Sequence, residues 1–317
     1  MKSARDILIV ILCSSFCGHV GAQVVPTKAL AIEKYKNEYE ASGVKEVKEI
    51  KWKGNLSRCK EGSISDKVMQ KAFMRINYFR TLCGLSAIEF TNEFNQKAQK
   101  AALITYANNE TNHDPPTHSK CYSKDAADAA GASSLALTDF VYYPEIAFIT
   151  AFIKDNGNSN KSVGHRRAML HSRAIKKGYG ATSGSEAIYD DEYSLLKRDT
   201  TLVPKYFSYP VSGYNEIDLL FPRWSFSIPE AYKVDFTQSI VELKDETGKQ
   251  INIATLPFTE FYDPTLVWEL KDKLNRDFFL KHVITVTVSN VRVNDQSRRY
   301  SYDVQFFDYV QSAPSKK

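Results

Sequence analysis

The segment VGHRRAML, residues 163–170, places a histidine and two arginines at the start of an amphipathic pattern typical of a helix. His165 could serve there as a metal ligand or as a general base, and Arg166 and Arg167 could bind an anion. A metal ligand or a general base needs a second group within reach. The chemistry therefore depends on which part of the chain supplies a partner.

His113 is the first candidate partner, because it precedes a loop (HDPPTHSKCYS) that two prolines keep from being helical. We expect His118, His171 and His282 to be surface or structural histidines. The HExxH zinc motif, CxxC pairs, a phosphate-binding GxxxxGK loop and the GxSxG nucleophile elbow are all missing from the sequence. The motifs alone thus favour binding over catalysis.

Helix signals dominate the half of the chain that carries these histidines. A helix is predicted from Ser63 to Gly84, and a second begins after the capping residue Thr91. A short alanine-rich segment then leads to a helix that starts near Pro144. The histidine-arginine segment forms the next helix, which we expect to end around Gly178.

The last part of the chain changes to a period of two, as in VITVTVSNV and YSYDVQFF. This pattern predicts a small antiparallel, immunoglobulin-like β-sandwich over residues 233–310, with a domain boundary near Pro229. The fold class is therefore α+β.

The amino terminus has the pattern of a secretory signal peptide over residues 1–22, with basic Lys2 and Arg5 before an apolar core. Cleavage is expected between Ala22 and Gln23, after small residues. Residues 23–58 are rich in Lys and Glu and predict a solvated helix or a linker. We expect a mature protein without a transmembrane segment that is secreted, either extracellular or periplasmic.

Three cysteines remain after cleavage, and in an oxidising compartment they allow three pairings. Cys83 continues a helical apolar stripe, where a thiol behaves as a small hydrophobe. Cys59 and Cys121 lie in polar surroundings, so we expect those two to form the disulfide.

The charge pattern excludes one class of partner and leaves others open. The formal net charge is only +5, and basic and acidic residues alternate along the chain, so nucleic-acid binding is not indicated. Basic residues of the histidine-arginine helix would form either a solvated face or a site for an anionic lipid or an acidic cell-wall polymer.

Several motifs in a fixed order resemble the CAP superfamily of cysteine-rich secretory, antigen 5 and pathogenesis-related proteins, in particular its bacterial branch. The order is INYFRTLCGL, NQKAQKAALITYANN with HDPP, AGASSLAL, AFIKDNGNSNKSVGHRRAML and GYGA, followed by PRWSFS. The resemblance covers roughly residues 59–230 and implies a CAP-like α-β-α sandwich with a central cleft. It also supports the pairing of Cys59 with Cys121.

The resemblance implies that His113, His165 and Asp155 line this cleft. Ser133 stands where the family has a second acidic residue, so one negative charge is lost. Two imidazoles and one carboxylate could still hold zinc or another divalent metal with a water as fourth ligand. The alternative is a hydrogen-bonded polar cluster that binds no metal.

We therefore expect an exported, non-enzymatic binding module whose histidine-lined cleft takes a lipid, a metal, a cell-wall polymer or a protein. One alternative is a metal-dependent hydrolase or peptidase that uses His113 and His165, with a metal-bound water as nucleophile. Another is a structural surface protein in which both domains are scaffolds. All three depend on where the fold places the two imidazoles.

Overall fold

The computed structural model describes residues 26–137, 149–190, 199–230 and 232–312. The predicted signal peptide with its cleavage point, and the predicted helix start near Pro144, lie outside these ranges. Within them, no helix combines the length and apolar character needed to cross a bilayer.

Helices and strands alternate in the first half, and strands dominate the second, which confirms the α+β class. The helices are α1 Lys28–Lys34, α2 Asp66–Leu82, α3 Asn92–Asn108, α4 Lys124–Gly131, α5 Thr150–Lys154, α6 Gly164–Met169, α7 Arg276–Lys281 and α8 Tyr309–Ser312. The strands are β1 Glu89–Phe90, β2 Ser133–Leu137, β3 Lys176–Ala181, β4 Ser185–Tyr189, β5 Phe207–Tyr209, β6 Gly213–Glu216, β7 Arg223–Ser227, β8 Val234–Asp235, β9 Ile240–Asp245, β10 Gln250–Ile251, β11 Ile253–Thr255, β12 Thr265–Leu270, β13 Ile284–Val293 and β14 Gln296–Phe307.

The first half forms three layers around a sheet of strand order β1-β3-β4-β2. Residues that alternate along β4 point to opposite faces. Ala187 and Tyr189 pack with the buried alanines of α3 and α4. Ile188 packs on the other side, in a cluster with Phe79 of α2 and Phe152 of α5. Helices thus cover both faces of the sheet.

Two glycines of β3 let α3 lie directly against the strand. A Cβ atom at Gly178 would lie 2.1 Å from the backbone carbon of Phe94, and one at Gly180 would lie 2.3 Å from the backbone nitrogen of Gln99. Both distances are far below van der Waals contact. The GYG motif is therefore required by backbone-to-backbone packing.

The helix that carries His165 is much shorter than predicted, since it ends at Met169 and residues 176–181 form β3 instead. Arg80 explains the early end. Its buried Nη1 donates to the carbonyl oxygens of Met169 and His171, both at 2.9 Å. These carbonyls are held by a side chain from α2 rather than by a further helical turn.

The second half is a sandwich of two sheets around one core. One sheet has the order β10-β9-β13-β14-β6 with β8 beside β13, and the other has the order β11-β12-β7-β5. Trp224 of β7 and Trp268 of β12 lie opposite each other and pack with Val286 and Val304 of the facing sheet.

The sandwich differs from the expected one in two ways. Hydrogen bonding crosses the predicted boundary near Pro229, because β7 pairs with β12 and β6 pairs with β14. The β6–β14 pair is parallel, whereas we predicted an antiparallel arrangement throughout. Both differences arise because β5, β6 and β7 precede residue 230 but belong to sheets whose other strands follow that residue.

The charged segment after residue 26 is not a solvated tether. Tyr35 and Tyr39 are buried and stack on each other with ring centroids 4.9 Å apart. Tyr35 also meets Tyr78 of α2 and Phe307 of β14 edge-on. The aromatic rings therefore anchor this segment to both halves, while its charged side chains face outward.

The predicted disulfide between Cys59 and Cys121 is confirmed and closes a loop of 62 positions. In the chain-entropy account, a loop of this length stabilises the fold by about 4 kcal/mol. Cys83 is a buried free thiol, and burial raises its pKa to about 12. It therefore stays protonated and behaves as part of the core.

Glu186 of β4 is a carboxyl group in the interior, with none of the residue exposed. The hydroxyl of Tyr179 donates to its Oε2 at 3.2 Å. Burial disfavours the charged form and raises the pKa of Glu186 to about 8. We therefore expect the stability of the fold to depend on the protonation of this residue.

We predict that Gly178→Ala lowers the free energy of unfolding by about 1–3 kcal/mol, as overpacked substitutions do. Urea denaturation of the intact protein measures the change. Gly164→Ala is the matched control, because a Cβ there would lie 3.8 Å from Cε1 of Phe261, an ordinary contact. Equal midpoints for Gly178→Ala and the wild type would contradict the packing account.

We predict that the free energy of unfolding of the wild type falls as pH rises, and that Glu186→Gln removes this pH dependence. The pKa of Glu186 in the folded protein, about 8, exceeds the usual glutamate value. The stability that the neutral carboxyl group contributes is therefore fully present below about pH 4 and is lost as pH rises through 8. The difference should reach a few kcal/mol, on the order of 1.4 kcal/mol for each unit of pKa shift.

Chemical denaturation of the wild type and Glu186→Gln at pH 5 and pH 9 measures this effect. Glu93→Gln is the control, since the Glu93 side chain is 71% exposed. The same difference between wild type and Glu186→Gln at both pH values would show that Glu186 does not titrate in this range.

Candidate functional site

Asp155 and His165 form a hydrogen-bonded pair. Asp155 follows α5, with a φ of 50° in the left-handed region, and its Oδ1 lies 2.9 Å from Nδ1 of His165. Its Oδ2 accepts a hydrogen bond from the backbone N–H of Arg166 at 3.3 Å. A carboxylate only accepts hydrogen bonds, so Nδ1 of His165 is the donor. In the neutral imidazole, the second ring nitrogen, Nε2, then carries the lone pair.

The two members of this pair differ in exposure. The Asp155 side chain is 0% exposed, whereas that of His165 is 26% exposed. The imidazole also meets the ring of Phe152 edge-on, with centroids 5.4 Å apart. The carboxylate and the phenyl ring therefore fix the orientation of an imidazole that external molecules can reach.

Arg223 of β7 holds the connection between α5 and α6 in place. Its Nη1 donates to the carbonyl oxygens of Asp155 at 2.8 Å and Asn160 at 3.0 Å, and its Nη2 donates to that of Gly157 at 2.8 Å. Glu269 of the neighbouring strand accepts from its Nε at 2.9 Å. The sandwich thus positions the segment that carries Asp155.

Val163, the residue before α6, has a φ of 48°, which a β-branched residue rarely adopts. It is fully buried. Strain of this kind persists only where surrounding contacts hold it, and it often accompanies functional sites.

Arg166 and Arg167, the predicted anion-binding residues, are interior tethers. Arg166 donates to the carbonyl oxygens of Ile153 at 2.7 Å and Arg223 at 2.9 Å. Arg167 donates to Oγ1 and O of Thr259, at 2.9 Å and 3.0 Å. Desolvation lowers the pKa of each arginine to about 10, which leaves both charged at neutral pH. An external anion would have to displace these acceptors, so the geometry does not fit the predicted anion site.

His113 and Ser133 each bond a backbone carbonyl oxygen near the carboxyl end of α4. Nδ1 of His113 lies 3.1 Å from the carbonyl oxygen of Ala130, and the Ser133 hydroxyl donates to that of Ala129 at 2.7 Å. His113 is exposed, while Ser133 is buried. These two residues cap successive carbonyls of the same helix.

The structure does not assemble the predicted metal site. Across the described ranges, no three His, Cys, Asp or Glu side chains are grouped to hold a metal ion, and this includes the expected set of His113, Asp155 and His165. The residues present therefore do not fit a zinc centre with three protein ligands.

Sequence reasoning missed the loop between β11 and β12, residues 256–264, which reaches α6 from the sandwich. Arg167 also donates to the carbonyl oxygens of Phe261 and Asp263 in this loop. The Asp263 carboxylate accepts from the backbone N–H and the hydroxyl of Ser172, both at 2.7 Å. The only local signal was the aromatic run PFTEFYDP.

No protein-family model matches the chain, and no curated protein matches it. A solved structure described as an extracellular protein containing an SCP domain, from Bacillus anthracis str. Ames, is similar at 17% sequence identity and a TM-score of 0.29. The match covers 41% of this chain and 45% of that one, so the chain spans less than half the length of that protein. A TM-score of this size does not establish a shared fold.

Proposed function

We propose that this chain is an exported binding module of the CAP type, in which His165 contacts the ligand. The observation that carries the proposal is the pairing of a fully buried carboxylate with a partly exposed imidazole. The order of the sequence motifs and the three-layer arrangement of the first half support the family. The disulfide supports export, because such bonds persist in oxidising compartments.

In this proposal Asp155 keeps the proton of His165 on Nδ1, and Nε2 accepts a hydrogen bond from the ligand. The three-layer first half forms the recognition domain. The two-sheet sandwich, to which β5, β6 and β7 contribute from before residue 230, forms an immunoglobulin-like adhesion or spacing module. The ligand is a component of a cell envelope, such as a wall polymer, a lipid or a protein. The mature protein acts outside the cytoplasm of a bacterium.

A hydrolase is the competing function, because an aspartate-held histidine is also the arrangement of a general base. Catalysis would further need a nucleophile, or a metal-bound water, within reach of Nε2. The described residues provide no group of three metal ligands, which favours binding.

We predict that His165→Ala weakens binding to cell envelopes at least about tenfold, the loss expected when a ligand forfeits a key hydrogen bond. The measurement is sedimentation of the mature protein with purified bacterial sacculi and, separately, with phosphatidylglycerol vesicles. Asp155→Asn should cause a smaller loss, because it keeps the shape of the carboxylate but weakens the hold on the imidazole.

His282→Ala is the matched control, since His282 is also partly exposed and also contacts a carboxylate, that of Glu246, at 2.7 Å. It should bind like the wild type. If His165→Ala binds like the wild type, the proposal is wrong. If the wild type itself binds neither sacculi nor vesicles, and His113→Ala and His165→Ala leave the protein unchanged, the chain is a structural surface protein. Zinc-dependent peptide cleavage that His165→Ala abolishes would instead establish the hydrolase.

A further inference from the structure

A cavity of about 670 Å³ lies where the two halves of the chain meet. The charged segment after residue 26, Arg75 of α2 and Thr150 of α5 line it from one side. Glu216 of β6, the residues that follow it and the start of α8 line it from the other. A volume of this size lies within the range of cavities that bind small molecules. We call it the junction cavity.

Glu216 places a carboxyl group in the wall of the junction cavity without a counter-charge. The residue is 2% exposed, and its two oxygens accept hydrogen bonds from the backbone N–H groups of Asp218 and Tyr309. Within the described ranges it forms no ion pair. Burial, together with the neighbouring Asp218 carboxylate, raises the pKa of Glu216 to about 7. A cationic group in the cavity would therefore stabilise the charged form of this residue.

Two other charged side chains in the wall are already bound by protein groups. The Arg75 guanidinium donates to Oγ1 of Thr150 at 2.7 Å and to the carbonyl oxygen of Tyr39 at 2.8 Å. The Asp218 carboxylate is paired with Arg276. A ligand would have to displace these partners, so Arg75 and Asp218 are not free to bind it.

Lys45 and Lys154 line the outer part of the junction cavity. Lys45 is exposed and Lys154 is partly exposed. Neither ammonium group has a hydrogen-bond or ion-pair partner within the described ranges. Glu40 is also exposed here and accepts from the Tyr35 hydroxyl at 3.1 Å. The cavity thus combines a buried carboxyl group with two unpaired cations nearer to the solvent.

This distribution of charge defines a ligand class. Each carboxylate oxygen of Glu216 can accept a further hydrogen bond, which an ammonium group donates. Lys45 and Lys154 attract a carboxylate. Buried Leu219 and Phe221 also line the cavity and offer apolar contacts to an aliphatic side chain. A short peptide with free termini carries all three features, whereas an anionic ligand without a cationic end would be repelled by Glu216.

We propose that the junction cavity binds a short peptide through its free termini, with the ammonium group on Glu216 and the carboxylate on Lys45 and Lys154. This is a second binding site, because neither His165 nor Asp155 lines the cavity. It goes beyond the proposed function and does not depend on it.

The test is calorimetric titration of the full mature protein with the dipeptide alanyl-leucine and two analogues. Propionyl-leucine lacks only the ammonium group, and alanyl-leucinamide has an amide in place of the carboxylate. Each analogue should bind about tenfold more weakly than the dipeptide, equivalent to about 1.4 kcal/mol. This comparison uses the wild type alone, so it does not depend on how a variant folds.

Variants then assign each end of the peptide. Glu216→Gln should bind alanyl-leucine no better than propionyl-leucine, and Lys45→Gln combined with Lys154→Gln should bind it no better than alanyl-leucinamide. Glu186→Gln is the control for a buried carboxyl group outside the cavity, and Lys48→Gln is the control for a lysine of the same segment, 81% exposed. Both controls should bind like the wild type. Thermal unfolding of each variant checks that the fold is intact.

Equal binding of alanyl-leucine and propionyl-leucine by the wild type, or no binding of either, would overturn this inference. Loss of the dipeptide in His165→Ala with normal binding in Glu216→Gln would place the peptide at the histidine and also overturn it. Normal binding of both the dipeptide and cell envelopes by His165→Ala would instead overturn only the proposed function.

Discussion

Three buried guanidinium groups, those of Arg166, Arg167 and Arg223, fasten the α5–α6 region to the C-terminal sandwich. A charge that leaves water is costly unless hydrogen bonds replace its hydration, and here backbone carbonyl oxygens supply them. Arg166 reaches back to β7, Arg167 holds the β11–β12 loop, and Arg223 holds the turn after Asp155. The position of the Asp155–His165 pair therefore depends on the second half of the chain.

This dependence explains why domain limits are hard to predict for this chain. The period-two pattern after residue 233 predicts strands, and β8 to β14 lie there, but β7 precedes that pattern and pairs with β12. The charged segment after residue 26 was misjudged for a similar reason. Its many Lys and Glu residues face solvent and dominate the sequence pattern. Its buried Tyr35 contacts Phe307, which lies far away in the sequence.

Sequence patterns predicted a helix end correctly where the bond that fixes it joins residues close together in the sequence. Thr91 begins α3 as predicted, since its hydroxyl accepts from the backbone N–H of Phe94 at 3.2 Å. The helix of His165 ends early because Arg80, from a distant helix, binds the carbonyl oxygens of Met169, its last residue, and of His171, which follows it. No periodicity within residues 163–178 could reveal this, because the competing donor lies elsewhere in the chain.

The candidate site was predictable only in part. The resemblance placed Asp155 and His165 in one site, and the structure brings them into contact. It also implied that His113 belongs with them; Nδ1 of this histidine lies 3.1 Å from the carbonyl oxygen of Ala130 near the end of α4. The contact of the β11–β12 loop with α6 could not be foreseen, because only tertiary packing brings Phe261 to Gly164.

The contact between Asp155 and His165 fixes the neutral imidazole with its proton on Nδ1 and its lone pair on Nε2. Nitrogen-detected NMR of the imidazole at pH 8 tests this most directly, with His165→Ala used to assign the signals. We expect the Nδ1–H tautomer for His165, and a return towards the commoner Nε2–H form in Asp155→Ala. A wild-type imidazole with its proton on Nε2 would contradict it.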